Sequence, residues 1–325
     1  MLRICAAAFM ATLTFLAAPL SAPAQDYPNR AIRLIVPFPP GGPTDIVGRI
    51  VTEYLSQKLG QPVVIENKPG AGSQLGIDLV AKSKPDGYSL VLAGTDGISM
   101  LPAVKQSIPY RLPDDFSFIA SVAKSTIVLA VNAKLPYKSM AELVAFGKAN
   151  PGKLRYGTIG VGTGGHLSTE VIGKAAGIQM VHVPHSGTAA NTQALAGGFV
   201  DFSVSGGSGM KPHADAGTIR VLATIEKERH RLFPDVPTLE EAGLPGVNAP
   251  LYIGILGPAG IPEAIQARLR KELAVMIADP QIVERIRAVG LEPAFLAGDD
   301  FEAYMVKDFE RWRDVAKAAN IVIAE

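Results

Sequence analysis

The stretch Ile32-Arg-Leu-Ile-Val-Pro-Phe-Pro-Pro-Gly-Gly-Pro-Thr-Asp45 decides the fold. It is an apolar run suited to a buried strand, broken by a turn of prolines and glycines and restarted as a helix. Pro43 fits the first helical position, where its missing N–H costs nothing, and Gly41 and Gly42 leave the backbone bare enough for a small molecule to touch. Free amides at a helix start, aided by the helix dipole, favour a carboxylate or phosphate. An ordinary tight strand-to-helix turn reads the same way from this segment alone. Asp45 falls just inside the helix, where a capping or loop-orienting role is expected.

Outward from this segment, strand and helix alternate. Residues 44–59 carry Ile46, Val47, Ile50, Val51, Tyr54, Leu55 and Leu59 on one helical face. Strands are predicted over 62–66 and 88–93, with a helix through Leu75, Leu79 and Val80 between them. A second unit begins near 127–131 and continues as helix 139–149, strand 154–157, helix 166–176, strand 180–183, helix 188–196 and strand 200–204. The strand 252–256 and helix 263–278 read as a return to the first unit. The pattern predicts an α/β protein of two lobes, each a doubly wound, mostly parallel sheet with flanking helices. Lobe 1 is expected over 25–124 and 250–325 and lobe 2 over 125–249. Two crossings make a hinge, and the cleft between the lobes can close on a ligand.

Residues 1–24 read as a signal peptide: Arg3 is a short basic region, 4–20 are apolar, and Ala22-Pro-Ala24 gives the small-x-small cleavage pattern. The expected location is therefore the periplasm. The sole cysteine, Cys5, lies inside this leader, so thiol catalysis and cysteine-ligated metal are excluded from the mature chain. Its roughly 300 residues exceed what one hydrophobic core normally serves. The net charge of +1, with no basic stripe, gives no sign of nucleic-acid binding.

Gly160-Val-Gly-Thr-Gly-Gly165 fits G-x-G-x-x-G between a strand and a helix. A dinucleotide site would want an acid at the end of the next strand, which instead reads Val183-Pro-His185-Ser186. A second anion-holding helix start is the plainer reading, with the amides of 162–165 and the hydroxyls of Thr158 and Thr163 facing the cleft. His182 and His185 are spaced to opposite strand faces and make a poor metal pair, and His166 suits a cap or packing role. No H-E-x-x-H, G-x-S-x-G or P-loop occurs. Neither a catalytic residue nor a metal or cofactor site is expected.

Val36-Pro-Phe-Pro-Pro-Gly-Gly-Pro-Thr-Asp45, Glu66-Asn-Lys-Pro-Gly-Ala-Gly72, Pro85-Asp-Gly-Tyr88, Tyr156-Gly157 through His166-Leu167, His182-Val-Pro184, and Pro234-Asp-Val-Pro-Thr238 with Glu241-Ala-Gly243 resemble, in order, the substrate-binding receptors of tripartite tricarboxylate transporters, the Bug family. The resemblance covers essentially all of 26–325. It implies a periplasmic Venus-flytrap receptor that captures a small organic carboxylate and passes it to a membrane permease of one large and one small subunit. It further implies that the carboxylate is held, partly through ordered waters, by the first loop and by the glycine-rich loop of the second lobe. The expected contacts are Phe38, Pro39, Gly41, Gly42, Thr44, Thr95, Asp96, Thr158, Gly162, Thr163, Gly164, Gly165, His166, His185 and Ser186. This chain departs from the family pattern at His185-Ser186, where an aromatic and often a lysine are usual, and at Thr163-Gly-Gly165. Both departures bear on which ligand is accepted. Asp96 is either a selecting acid, useful to a ligand that carries a donor, or a solvated turn residue. The chain is expected to act as a monomer. Two alternatives remain: a sensor that presents its ligand to a membrane kinase, and a nucleotide-dependent enzyme using the Gly160–Gly165 loop.

Overall fold

In the computed structural model, which describes residues 27–244, 247 and 249–319, strand and helix alternate as the periodicity requires. The leader read at 1–24 lies outside the described residues. The first unit runs β1 (Ile32–Val36), α1 (Pro43–Leu59), β2 (Val63–Asn67), α2 (Gln74–Ala81) and β3 (Ser89–Gly94). A π turn, Asp96–Met100, leads into the short α3 (Leu101–Val104) and then β4 (Phe116–Ser125). The second unit runs β5 (Ile127–Asn132), α4 (Met140–Ala149), β6 (Leu154–Thr158), α5 (Gly164–Ala176), β7 (Met180–Pro184), α6 (Thr188–Gly197), β8 (Phe202–Gly206), α7 (Gly207–Asp215) and β9 (Ile219–Thr224). The chain ends with β10 (Leu251–Pro258), α8 (Glu263–Ala278), α9 (Pro280–Ala288), β11 (Glu292–Pro293) and α10 (Asp299–Ala319).

These strands form two sheets of order β11-β4-β10-β3-β1-β2 and β7-β6-β8-β5-β9. Each contains a block of adjacent parallel strands, β2-β1-β3 in one and β7-β6-β8 in the other. The pairings beyond each block are antiparallel, so each sheet is mixed, with β10 and β5 running against their neighbours. β1 sits between two partners and is buried at every position but one, which is why it reads as a nearly continuous apolar run. Sequence periodicity missed α3, β4, α7, β9, α9, β11 and α10. β4 is buried along almost its whole length on both faces, so it shows no strand alternation.

The chain leaves the first sheet at Ser125 and enters the second at Ile127, with only Thr126 between. It returns through β10, whose Leu251 pairs with Ser125 and whose Pro258 pairs with Phe116. Two strands that connect the lobes are thus hydrogen-bonded side by side. The architecture is that of a two-lobed periplasmic binding protein. One apolar core packs α1 and α8 on the first sheet. The core of the second sheet also takes in Met100 and Val104 from the π turn and α3, and Trp312 and Ala316 from α10, so the C-terminal helix ties the lobes together.

Candidate functional site

In each parallel block the strand order reverses between its central and third strands, and a crevice opens there at the carboxyl ends. The two crevices face each other across one cavity of about 380 Å³. From the first lobe come the β1–α1 turn, with Phe38, Pro39, Gly41, Gly42 and Thr44, and the end of β3, with Gly94 and Asp96. The second lobe gives Ile159 after β6, Ser186–Ala190 around the start of α6, and Ser205 and Gly206 at the end of β8. Ser125, Leu251, Tyr252 and Ile253 from the connecting strands complete it. The lining is mainly apolar, and among the described residues no Lys, Arg or His belongs to it.

The β1–α1 turn is held from behind. Asp45, 1% exposed, accepts the Gly41 N–H at 3.0 Å, Arg49 Nε at 2.9 Å and Asn67 Nδ2 at 2.9 Å, and Asn67 also donates to the Phe38 carbonyl at 3.0 Å. Burial alone would push the Asp45 carboxyl up, but these donors bring it below the ordinary carboxylate range. Asp45 thus orients the loop, and it stands behind the cavity wall. Gly41 has φ +84°, a left-handed conformation that needs glycine, whereas Gly42 is extended at φ −78°. The strain therefore falls on Gly41, and Gly42 serves by its bareness. Gly42 is the N-cap of α1 and makes no side-chain cap, with Pro43 following, so the first-turn amides of Thr44 and Asp45 have no internal partner.

The second helix start at the cavity is α6. Its N-cap Gly187, at φ +136°, also makes no side-chain cap. A Cβ built on Gly187 would lie 3.6 Å from Pro39 Cγ, so the α1 and α6 loops meet across the lobes. The first-turn amides of α6, at Thr188, Ala189 and Ala190, lie among the cavity residues.

The structure places six of the expected residues, around the glycine-rich turn Gly160–Gly165, outside the lining of this cavity. Thr158, Gly162, Thr163, Gly164, Gly165 and His166 are absent from the lining, and those of α5 and its cap are buried. The reason is that this helix start is already occupied. The Gly164 N–H donates to the Asp96 carboxylate of the other lobe, the Gly162 N–H donates to His166 Nδ1 at 3.2 Å, and Thr163 Oγ1 donates to the Gly160 carbonyl at 2.8 Å. A Cβ on Gly165 would come within 2.2 Å of the Val204 carbonyl, so the glycine is required by close packing. Thr158 Oγ1 serves the Gly160 carbonyl and lies 2.7 Å from His182 Nε2.

Thr95 and His185 also stand outside the lining. Thr95 is fully buried between two cavity residues, and the His185 N–H extends the β6–β7 ladder by donating to the Thr158 carbonyl at 2.9 Å. The expected residues that the fold does bring together are Phe38, Pro39, Gly41, Gly42, Thr44, Asp96 and Ser186. Sequence reading missed Ser125, Ile159, Thr188, Ser205 and Tyr252. A signal existed for Thr188, since Ser186-Gly-Thr188 precedes a helical stretch as a strand-to-helix turn must. The others come from strand ends whose proximity is purely tertiary.

Beside the glycine-rich turn, His166 and His182 stack at 4.1 Å between ring centroids, and His182 stacks on Tyr156 at 4.8 Å. Tyr156 Oη donates to Glu170 at 2.5 Å. Burial, helped by the neighbouring imidazoles, pushes His182 down to about 3. Burial also lowers His166, whose Nδ1 is an acceptor and so carries no proton. These rings are neutral packing. Asp96 lines the cavity while it caps α5; burial pushes its carboxyl up to about 6 against the pull of the Gly164 N–H, and Asp308 adds to the rise. Among the described residues no group of three or more His, Cys, Asp or Glu is placed to hold a metal ion, and no helix is long and apolar enough to cross a membrane.

Residues 47–321 match the family model described as tripartite tricarboxylate transporter family receptor. This chain belongs to that family. Among its relatives, a UPF0065 protein of Bordetella pertussis is 34% identical over 302 residues, covering 93% of each chain. Protein BugT of the same organism is 33% identical, covering 93% of this chain and 92% of BugT. Among solved structures, R. palustris Rpa4515 with adipate superposes with a TM-score of 0.86 at 31% identity, covering 92% of this chain and all of that one. MatC (Rpa3494) from Rhodopseudomonas palustris with bound malate gives 0.82 at 29%, covering 89% and 99%. The periplasmic binding protein BugD superposes with a TM-score of 0.84 at 29% identity, covering 92% of this chain and all of that one.

Proposed function

We propose that this protein is a periplasmic receptor that captures a small organic carboxylate in the interlobe cavity and delivers it to a tripartite membrane permease. The observation that carries this reading is the pair of uncapped helix starts, α1 and α6, meeting across one cavity whose lining holds no cation. Helix-start amides and dipoles supply the positive potential a carboxylate needs, fixed in advance by the fold. The adipate and malate bound by its structural neighbours accord with that chemistry. In this reading Phe38, Pro39, Gly41, Gly42, Thr44, Asp96 and Ser186 face the ligand, joined by Thr188 and Ser205. Thr95, Thr158, Gly162, Thr163, Gly164, Gly165, His166 and His185 support that wall from behind.

Lobe 1 comprises 25–124 and 250–325 and lobe 2 comprises 125–249, and the ligand selects the closed state because it touches both at once. The leader 1–24 directs export and is removed. No chemical step is assigned, since release to the permease requires only reopening. The test is a thermal-shift screen of the mature protein against mono-, di- and tricarboxylates and aromatic acids. A ligand at a hundredfold excess over its Kd adds roughly 2.7 kcal/mol to the folded state, enough to raise the midpoint clearly. The expected result is a rise with a subset of the acids and none with their amides. No rise with any acid would remove the reading.

A further inference from the structure

The part of the cavity wall built from strand ends has its own chemistry. Its residues are Asp96 just beyond β3, Ser125 at the end of β4 and Ser205 near the end of β8. Ser205 is 3% exposed, lines the cavity, and its Oγ has no hydrogen-bond partner among the described residues. Ser125 lies alongside, its Oγ 3.4 Å from where a Cβ on Gly206 would stand. Among the described residues the one donor recorded to the Asp96 carboxylate is the Gly164 N–H. An ionised carboxylate can accept at both oxygens, and a buried hydroxyl left unpaired is destabilising until something meets it. This wall therefore offers an acid and an open hydroxyl, with no cation among the described lining residues.

We propose that the cavity selects a monocarboxylate bearing a second group that donates hydrogen bonds, an amine or a hydroxyl, and that Asp96 and Ser205 receive that group. The inference rests on the carboxylate-receptor reading above and narrows it. A second carboxylate in the same cavity would be desolvated beside Asp96 with no opposite charge to meet it, and such a repulsive element discriminates as effectively as an attractive one. Of the cations near the helix starts, Arg49 is paired with Asp45 behind the loop, and Lys211 lines the adjoining groove and is paired with Asp215 at 2.5 Å. An amine or hydroxyl at Asp96 also sits against the carboxylate that caps the opposite lobe, so the same contact that reads the ligand favours closure.

The experiment titrates ligand-stripped mature protein calorimetrically with two matched series, hexanoate, 6-aminohexanoate and adipate, and benzoate, 4-hydroxybenzoate and terephthalate. The donor-bearing acid of at least one series is expected to bind tenfold or more tighter than its dicarboxylate, a gap of about 1.4 kcal/mol. Asp96→Asn keeps an acceptor for Gly164 but replaces the free acceptor with a donor, so it should erase or reverse that ratio. Ser205→Ala should weaken the donor-bearing acid more than the unsubstituted acid, so that the ratio between them falls. If Asp96→Asn does not fold, the wild-type ratio and Ser205→Ala carry the test. Equal or tighter binding of the dicarboxylate overturns the inference and leaves the receptor reading standing, and its loss in Lys211→Ala would show the second carboxylate running into the adjoining groove. Failure of every acid here and in the wider screen removes both.

Discussion

Asp45 shows how a residue behind the cavity wall can set the shape of that wall. Its carboxylate gathers the Gly41 amide, the Arg49 guanidinium and the Asn67 amide, and Asn67 in turn pins the Phe38 carbonyl. Replacing it with alanine leaves these donors unpaired behind the loop, at a cost of about 1 to 3 kcal/mol. Asp45→Ala should therefore lower both urea stability and ligand affinity, and a variant with weakened stability but unchanged affinity would show that the loop holds its shape without it. Gly41, at φ +84°, is the neighbouring requirement. Gly41→Val has open space for its Cβ, so its expected loss of roughly 1 to 2 kcal/mol comes from the left-handed backbone alone. Denaturant melts of Gly41→Val and Gly42→Ala separate the two glycines, with only the first expected to lose that much. Both the proline at the first helical position and the orienting role of Asp45 were legible in sequence, because a strand-to-helix turn is local chemistry.

At the scale of elements, the two parallel blocks were legible because buried strands and amphipathic helices carry their own periods. Which helix start faces the cavity was not. α1 and α5 each follow the central strand of their block and look equivalent in sequence, yet α5 is capped from the other lobe by Asp96 and α6 takes its place at the cavity. That exchange depends on how the lobes dock, for which no local pattern exists. Gly187, at φ +136° and ψ 178°, occupies backbone territory nearly reserved for glycine. Gly187→Ala is expected to weaken ligand binding tenfold or more by displacing the α6 start, and calorimetry that finds no change would take α6 out of the site. The His166–His182–Tyr156 stack makes a different prediction. His182 is held down to about 3 and His166 is also lowered, so below the ordinary histidine pKa the unfolded chain takes up protons that the folded chain refuses. Their stabilisation is present at neutral pH and lost as pH falls. Asp96, raised to about 6, acts in the opposite sense as the pH falls toward and through that value, because the folded state then binds the proton first. Between about pH 7.5 and about pH 7 the histidines dominate, so the melting midpoint should begin to fall as the pH is lowered there, and His182→Phe should flatten that slope. An unchanged slope in the variant would place its origin elsewhere.

For the whole molecule, two paired strands, β4 and β10, connect the lobes, and Pro39 against Gly187 and Asp96 on Gly164 are contacts made between them in this structure. Small-angle scattering of the mature protein should give a smaller radius of gyration with saturating ligand than without, and identical profiles would deny a closure that capture drives. Sequence motifs in the right order made the family legible, and the mixed sheets could not be read from them because strand direction at a lobe crossing is settled by tertiary pairing. The central claim is that the amides of the α1 and α6 starts hold the carboxylate, and the most direct measurement is backbone amide NMR on the assigned mature protein, titrated with the acid giving the largest thermal shift. The expected result is that the largest shift changes centre on Gly42, Thr44 and Asp45 together with Thr188, Ala189 and Ala190. Changes centred instead on Gly162, Gly164 and Gly165, with the α6 start unmoved, would contradict it.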